Sequence, residues 1–244
     1  MPILYEDRSI IAIDKPAHWM LVPFTWQRTD HNLQAAITSS IAAGDFWARS
    51  RNLKFLRHVH RLDADTTGIL LFARSQGGVD TFSDLFEGRR MEKTYLAVVH
   101  GAPKETQWTC RAKLAQDPQQ IGRMRVDEKA GKESETHFRV LRKGASTTLI
   151  ECHPVTGRTH QIRVHLKSGG HSIVGDELYG DAKADAASSW KRDMFPLALR
   201  AVSLSYVDPF TRRKVRIAAP TEEFLQCFGF ADSRPAGSMC TSTS

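Results

Sequence analysis

The chain has 244 residues, of which 41% are hydrophobic, so it is long and apolar enough to bury the core of one domain or of two small ones. Its 34 lysines and arginines outnumber its 27 acidic residues, and the formal net charge of +7 favours polyanionic partners such as nucleic acid. The four cysteines form no C-x-x-C pair, which argues against a disulfide framework or a cysteine-rich zinc site, and the sequence shows neither a signal peptide nor an apolar run of membrane-spanning length. We therefore expect a soluble, cytoplasmic protein that has no membrane partner.

The N-terminal part of the chain alternates short apolar runs with stretches of helical character. In chain order it predicts strands at 3–5 and 10–13, a helix at 33–43, a loop at 45–58, a strand at 68–73, a helix at 75–86 and a strand at 94–99. Asn32 and Ser75 are the expected N-caps, because their side chains accept hydrogen bonds from free backbone N–H groups. The loop at 45–58 carries aromatic and basic residues, so it is either a surface for a nucleic-acid backbone or a solvated connector.

The C-terminal part of the chain contains more predicted strands than helices. In chain order it predicts strands between 108 and 142 with a hairpin around 119–131, a strand at 147–152, a helix at 160–168, a mobile excursion at 181–192, strands at 197–207 and 214–218, and a helix at 221–228. Thr159 is the expected N-cap of the helix at 160–168. Within that helix Arg163 and Lys167 are four residues apart, which predicts a basic face beside an apolar face that contains Ile162 and Leu166.

These elements predict an α+β fold with a mixed, largely antiparallel sheet and flanking helices. Several strand pairs are close enough in sequence to form hairpins, and residues 68–73 are apolar on both faces, as in a buried central strand. No linker justifies a second domain. We expect one domain over residues 1–230 and a disordered tail over residues 231–244.

Asp63 is the first candidate for chemistry. It lies between Arg61 and the turn formed by residues 66–68, directly before the predicted buried strand. A carboxylate in that position needs a partner, and a basic partner favours the ionised form, which is able to act as a nucleophile or a base at neutral pH. An ordinary structural ion pair is the alternative.

Two other chemistries deserve comparison with this interpretation. Asp63 and Asp65, two residues apart on a strand, would face the same way and resemble the paired carboxylates of a glycosidase, but nothing aromatic is placed to stack a sugar. We expect Asp65 instead to fix the turn through the nearby threonine hydroxyls. The histidines at 58, 60, 160 and 165 lack a matched carboxylate, and positions 160 and 165 diverge by about 140° on a helix, so no metal site is expected.

The segment 156–165 concentrates hydrogen-bond donors near the start of a predicted helix. Such a cluster suits RNA phosphates and the edge of a uracil base. We assign Arg158, His160, Gln161 and Lys167 to RNA binding on this basis. A solvated helix face is the alternative.

Five blocks follow one another along the chain, namely residues 14–16 (DKP), 60–73 (HRLDADTTGILLFA), 93–95 (KTY), 157–165 (GRTHQIRVH) and 175–176 (GD). In this order they resemble the RluA class of RNA pseudouridine synthases. Several ordered blocks match by chance far less often than one short motif does. The resemblance extends from residue 4 to about residue 220 and implies the pseudouridine synthase fold with its catalytic cleft.

The resemblance implies a role for each of five residues. Asp63 is similar to the catalytic aspartate, Tyr95 to the tyrosine that packs against the target base, and Arg163 to the basic residue that pairs with the aspartate. Arg61 matches the arginine that enters the space left by the extruded nucleotide, and His60 is expected to shape that RNA-binding loop. The Tyr95 hydroxyl, near C5 of the base, is expected to help to remove its proton.

The implied reaction detaches uracil from C1′ of its ribose and rejoins it through C5, with no metal, nucleotide or redox cofactor. We expect a monomer that modifies uridine in a stem-loop of structured ribosomal or transfer RNA, and no N-terminal S4 domain. Three positions depart from the family pattern, namely Thr67 for Ser, His18 for Gly and Arg200 for His. The competing hypotheses are an idle RNA-binding or ribosome-assembly protein on the same scaffold, and a hydrolase that uses Asp63 and Asp65.

Overall fold

The computed structural model describes residues 1–21, 31–180, 182–186 and 194–231. The strands in these ranges are β1 (Ile3–Glu6), β2 (Ile10–Lys15), β3 (Arg57–His58), β4 (Thr67–Ala73), β5 (Glu92–His100), β6 (Gln107–Cys110), β7 (Leu114–Gln116), β8 (Met124–Val126), β9 (Thr136–Lys143), β10 (Thr147–Pro154), β11 (Leu199–Val207) and β12 (Lys214–Ala218). The helices are α1 (Leu33–Ala42), α2 (Phe46–Arg49), α3 (Gln76–Glu87), α4 (Gln161–Ser168), α5 (Ala182–Ala186) and α6 (Glu222–Cys227). No helix in the described ranges is long and apolar enough to cross a membrane.

One ten-stranded sheet forms the body of the structure. Its strands lie in the order β1-β2-β4-β11-β5-β10-β9-β6, with β12 paired to β11 and β3 paired to β4, while β7 and β8 form a separate ribbon. The β4–β11 pair is parallel, and the other pairs between these strands are antiparallel. This arrangement confirms the predicted α+β class with a mixed, largely antiparallel sheet.

Two apolar clusters pack along this sheet. The first surrounds β2 and β4 and includes Phe72 and Phe82, and the second surrounds β5 and β10 and includes Ile150 and Leu166. All seven residues of β4 are buried, which confirms the predicted central strand. Tyr95 packs against both clusters. The loop that precedes β4 and the helix that follows β10 therefore meet where the two clusters adjoin.

The structure confirms two predicted helix starts. The Asn32 side chain accepts a hydrogen bond from the Ala35 amide at 3.0 Å, and the Ser75 hydroxyl accepts one from the Gly78 amide at 3.1 Å. The predicted loop at 45–58 is wrong in part, because it contains the short helix α2. A hydrogen bond from Trp47 Nε1 to the Ser40 hydroxyl, 2.6 Å long, ties this helix to α1.

The start of α4 differs from the prediction. His160, with a positive φ of 54°, occupies the N-cap position, and no side chain caps it, so the predicted Thr159 cap is wrong. The predicted basic face is also wrong. Residues 161–166 are all buried. Of the two basic residues only Lys167 is exposed, because Arg163 pairs with a buried carboxylate, Asp176.

The two predicted irregular segments fall largely outside the described residues. Residues 182–186 of the predicted excursion form α5, while residues 181 and 187–193 are not described. The predicted tail begins at a described residue, Ala231, and its other residues, 232–244, lie outside the described ranges.

Gly68 supplies a test of the β4–β11 contact. It has a φ of +104°, and a Cβ atom there would lie 2.1 Å from the carbonyl oxygen of Ala201 on β11. We expect Gly68→Ala to lower the free energy of unfolding by at least about 2 kcal/mol, measured by urea denaturation. Gly77→Ala is the matched control, because a Cβ atom there meets nothing within 4 Å and alanine favours helix. Equal midpoints for the two variants would contradict the described contact.

Candidate active site

A cleft of about 390 Å³ opens between the loop before β4, the start of β5 and the turn that leads into α4. The predicted site residues that line it are Asp63, Tyr95, Arg163, Arg61, His60, Arg158, His160 and Gln161. Lys167 is exposed on the last turn of α4 and does not line the cleft. The structure therefore brings together residues that are up to 103 positions apart in the sequence, since both His60 and Arg163 line the cleft.

Arg163 connects Asp63 to a second carboxylate. Its Nε and Nη2 atoms donate to the two oxygens of Asp176 at 2.8 and 2.7 Å, and its Nη1 atom donates to Asp63 Oδ2 at 3.3 Å. The side chain of Asp176 is fully buried, whereas that of Asp63 is 19% exposed and faces the cleft. Burial opposes the charge of Arg163, but Asp176 and Asp63 together raise its pKa. The pair with Asp176 thus fixes a permanent cation beside Asp63.

Tyr179 forms one wall of this ion-pair network. The Arg163 guanidinium lies 5.1 Å from the centre of the Tyr179 ring, and the phenolic oxygen accepts the Met124 amide at 2.7 Å. His160 Nδ1 hydrogen-bonds to the same oxygen at 2.8 Å, while His160 Nε2 is 3.8 Å from Asp63 Oδ1. Burial lowers the pKa of His160 despite the opposing charge of Asp63. Arg163, rather than His160, is therefore the cation that faces Asp63.

Lys15 fixes the loop that carries Asp63. This lysine is fully buried, and its amine donates to the carbonyl oxygens of Ala64 at 2.6 Å and Pro16 at 2.8 Å. Burial lowers the pKa of Lys15 to about 8, against the opposing charges of Asp65 and Asp63. The DKP block of the sequence thus fixes the backbone next to the catalytic candidate.

Tyr95 presents its ring to the cleft from β5. Burial and the negative charge of Asp63 raise the pKa of its hydroxyl. The phenol is therefore neutral at neutral pH and a poor proton acceptor. The expectation that this hydroxyl helps to remove the C5 proton has no support from this environment, whereas the stacking role agrees with it.

His60 is an internal anchor of the loop. Its Nε2 atom accepts the Leu71 amide at 3.0 Å, and its ring stacks on Phe86 with 4.4 Å between the centroids. Burial, followed by the charge of Lys93, lowers the pKa of His60 to about 3. The imidazole is therefore neutral, which agrees with the expected role in shaping the loop. A direct contact with RNA stays a prediction.

The side chain of Gln161 is likewise held by hydrogen bonds within the protein. Its amide oxygen accepts the Thr156 hydroxyl at 2.6 Å and the Arg158 amide at 3.0 Å, and its nitrogen donates to Glu135 and Thr136. These bonds favour a positioning role for Gln161 in the turn before α4. Arg61 and Arg158, by contrast, are exposed at the cleft. Arg158 Nε donates to the Glu133 carbonyl oxygen at 3.0 Å, which leaves its terminal guanidinium nitrogens to approach a phosphate.

The structure gives no support to paired carboxylates or to a metal site. Asp65 lies outside the lining of the main cleft, and its Oδ1 atom is 3.1 Å from His18 Nδ1 rather than bonded to the threonines, as the turn prediction had it. Across the described ranges, no three His, Cys, Asp or Glu residues are grouped in a way that would hold a metal ion. His165 instead bonds to Ser134 and Thr136 inside the core.

Sequence reasoning assigned no role to three residues of this site, namely Lys93, Asp176 and Tyr179. Lys93 and Asp176 belong to the blocks that carry the resemblance, whereas Tyr179 lies beyond them. The spacing of Asp176 and Tyr179, three residues apart after a glycine, was the available signal. Its meaning depends on Arg163, which only the fold brings near.

The comparison with known proteins decides the family. A family model described as RNA pseudouridylate synthase matches residues 9–168. The chain belongs to this family. Over 231 residues it is 37% identical to ribosomal large subunit pseudouridine synthase C of Salmonella typhimurium, and the match covers 92% of this chain and 67% of that protein. The protein of the same name from Escherichia coli strain K12 is 37% identical over 236 residues, with the same coverage.

Solved structures support the same fold for this pseudouridine synthase. Human RNA pseudouridylate synthase domain containing 1 superposes with a TM-score of 0.68 at 26% identity, covering 89% of this chain and 82% of that one. Human RNA pseudouridylate synthase domain containing 4 gives a TM-score of 0.71 at 21% identity, covering 93% and 92%. The resemblance, the fold and the reaction class are confirmed: the protein is an isomerase that converts uridine in RNA to pseudouridine.

The half-buried, neutral His60 predicts a pH dependence of stability. In the unfolded chain a histidine binds a proton below about pH 6.5, whereas His60 in the folded state does so only at about pH 3. The folded state therefore loses stability as the pH falls through this window. We expect the free energy of unfolding to fall by about 2 kcal/mol more for the wild type than for His60→Gln between pH 6.5 and 5.

Urea denaturation of both proteins across this pH range measures the difference. Glutamine keeps an acceptor for the Leu71 amide without titrating, and the other histidines are common to both proteins. Parallel stability curves for the two proteins would contradict the described burial of His60.

Proposed function

We propose that this pseudouridine synthase modifies uridine in large-subunit ribosomal RNA, with Asp63 as the carboxylate that acts on the sugar. The observation that carries the proposal is the Asp63 carboxylate, which faces the cleft with the buried Arg163 guanidinium 3.3 Å behind it. The choice of ribosomal RNA rests on the names of relatives that are 37% identical. The net charge of +7 suits an RNA of either class.

The reaction balances within one nucleotide. The bond between N1 of uracil and C1′ breaks, the base turns, and a bond between C5 and C1′ forms. C5 loses its hydrogen and N1 gains one, so no electrons enter or leave. Asp63 acts on the sugar either as a nucleophile at C1′ or as a base. In both cases Arg163 holds the carboxylate in place.

The cleft provides for an extruded base. Tyr95 offers the stacking face, and the exposed Arg61 on the loop enters the space that the base leaves in the RNA. Asp63 and Arg61 also line a second groove of about 500 Å³ on the other side of the loop. In this proposal the base occupies the cleft while the remaining RNA follows the groove.

The wider context follows from the same chemistry. A stem-loop is the favoured target, because unpaired loop bases are extruded at lower cost than paired ones. Residues 1–230 act as one catalytic domain in the cytoplasm, where ribosomal RNA is available. The protein is monomeric, since the large exposed apolar residues of the described ranges, such as Phe46, Leu141 and Phe210, lie on different elements.

The decisive variant is Asp63→Asn, which removes the charge and keeps the shape. We expect it to reduce tritium release from unmodified large-subunit ribosomal RNA labelled at uridine C5 by at least about a thousandfold, while RNA affinity changes little. Asp65→Asn is the matched control. Asp65 pairs with His18 and lines the groove rather than the cleft that takes the base, so the variant is expected to release tritium at nearly the wild-type rate when RNA is saturating.

Each other outcome has a definite meaning. Release by Asp63→Asn at the wild-type rate would refute the role of this carboxylate, and loss of activity in Asp65→Asn would favour the hydrolase-like pair. RNA binding by the wild type with no release would favour the idle scaffold. Release from transfer RNA alone would correct the RNA class.

A further inference from the structure

Lys93 is a cation in the cleft to which no described residue supplies an anionic partner. It lies on β5, its side chain is half-buried, and its amine donates to the Thr156 carbonyl oxygen at 3.2 Å. In the part of the chain that the structure describes, no carboxylate forms an ion pair with it. Glu87 lines the same cleft but makes no such pair. Arg163, in contrast, is buried between two carboxylates.

Holding an uncompensated ammonium group in this position is costly. Transfer from water into a half-buried site penalises the charged form, and burial lowers the pKa of Lys93 to about 8. At neutral pH the amine still carries its proton. One carbonyl at 3.2 Å satisfies only one of its three donors. The remaining donors and the charge are therefore available to an anion that enters the cleft.

The position of Lys93 indicates which anion fits. Lys93 and Tyr95 are two residues apart on one strand, so both side chains project from the same face of the sheet. Their Cα atoms are about 7 Å apart. Gly157 lies on the other side of the amine. Even a Cβ atom at position 157 would be 4.0 Å from Lys93 Nζ, so this residue leaves space beside the amine. A base that stacks on Tyr95 brings its own phosphodiester to this distance. Because the phosphodiester is common to all nucleotides, an ammonium group that binds it does not distinguish one base from another.

We propose that Lys93 forms a phosphate subsite that holds a phosphodiester linkage next to the extruded uridine. The inference deepens the proposed function and rests on it for the presence of RNA in the cleft. In this arrangement Lys93 is a substrate-binding residue. It fixes the backbone of the nucleotide while Tyr95 fixes the base, and the two contacts together orient C1′ toward Asp63.

The first test uses RNA with one backbone charge removed. The probe is a stem-loop that contains a uridine modified by the wild type, with a neutral methylphosphonate at either linkage that flanks this uridine. We expect wild-type affinity to fall about tenfold or more at one of the two linkages. Lys93→Met is expected to bind that methylphosphonate RNA and the natural RNA equally well. If Lys93→Met still discriminated between them as the wild type does, the subsite would be refuted.

The second test measures RNA binding, and its result does not depend on product formation. On unmodified large-subunit ribosomal RNA, the slope of log affinity against log salt is expected to become shallower by about 0.7 in Lys93→Met. Lys104→Met is the matched control, because Lys104 is exposed on the turn between β5 and β6, and it should keep the wild-type slope. An unchanged slope in Lys93→Met would overturn the inference. A wild type that binds RNA with this lysine-dependent slope but releases no tritium would refute only the proposed function.

The thermal midpoint distinguishes a binding role from a structural one. If the amine is kept for substrate, Lys93→Met removes a buried charge, and its midpoint should equal or exceed that of the wild type. A midpoint several degrees lower would show that the amine serves the fold through Thr156, and would overturn the subsite. Lys93→Arg, which keeps the charge, should retain the wild-type salt slope.

Discussion

Arg163 is buried with its guanidinium committed to Asp176 and turned toward Asp63, so its charge is tolerated only where three parts of the fold meet. Helix α4 supplies the arginine, the turn after it supplies Asp176, and the loop before β4 supplies Asp63. Loss of one of these carboxylates would leave the buried guanidinium uncompensated and would strongly destabilise the folded state. The site therefore depends on the complete sheet order, because β4 and β10 place its two halves on opposite sides of the β11–β5 pair.

Around this network, three titratable side chains that line the cleft are uncharged. His160 is buried and His60 is half-buried, both with lowered pKa values, and the pKa of the Tyr95 hydroxyl is raised, so all three are neutral near pH 7. The charged side chains that line the cleft are Asp63, its arginine, Glu87 and the cations that await RNA. Apart from Asp63, such a site acts on a substrate mainly through fixed electrostatics.

Local sequence signals predicted the elements but not their tertiary partners. Asn32 and Ser75 were found as caps because capping is a local interaction, whereas α2 was missed because a contact of Trp47 with α1 holds it. The four-residue spacing of Arg163 and Lys167 predicts a basic helix face, since helical periodicity carries no information about tertiary ion pairs. Resemblance identified its pairing with Asp63. Asp176 and Tyr179 acquired roles only from the fold, because their significance lies in a guanidinium 13 or more residues away.

The most direct measurement of the central claim is a double-mutant cycle on the single-turnover rate of tritium release. It compares the wild type with Arg163→Met, Asp176→Asn and the double variant, at a temperature where circular dichroism shows all four folded. If Asp176 acts through the guanidinium, the double variant will be no slower than Arg163→Met alone, and the two effects will be far from additive. Additive losses would show that Asp176 supports the reaction independently of Arg163, and would contradict the account of the site given above.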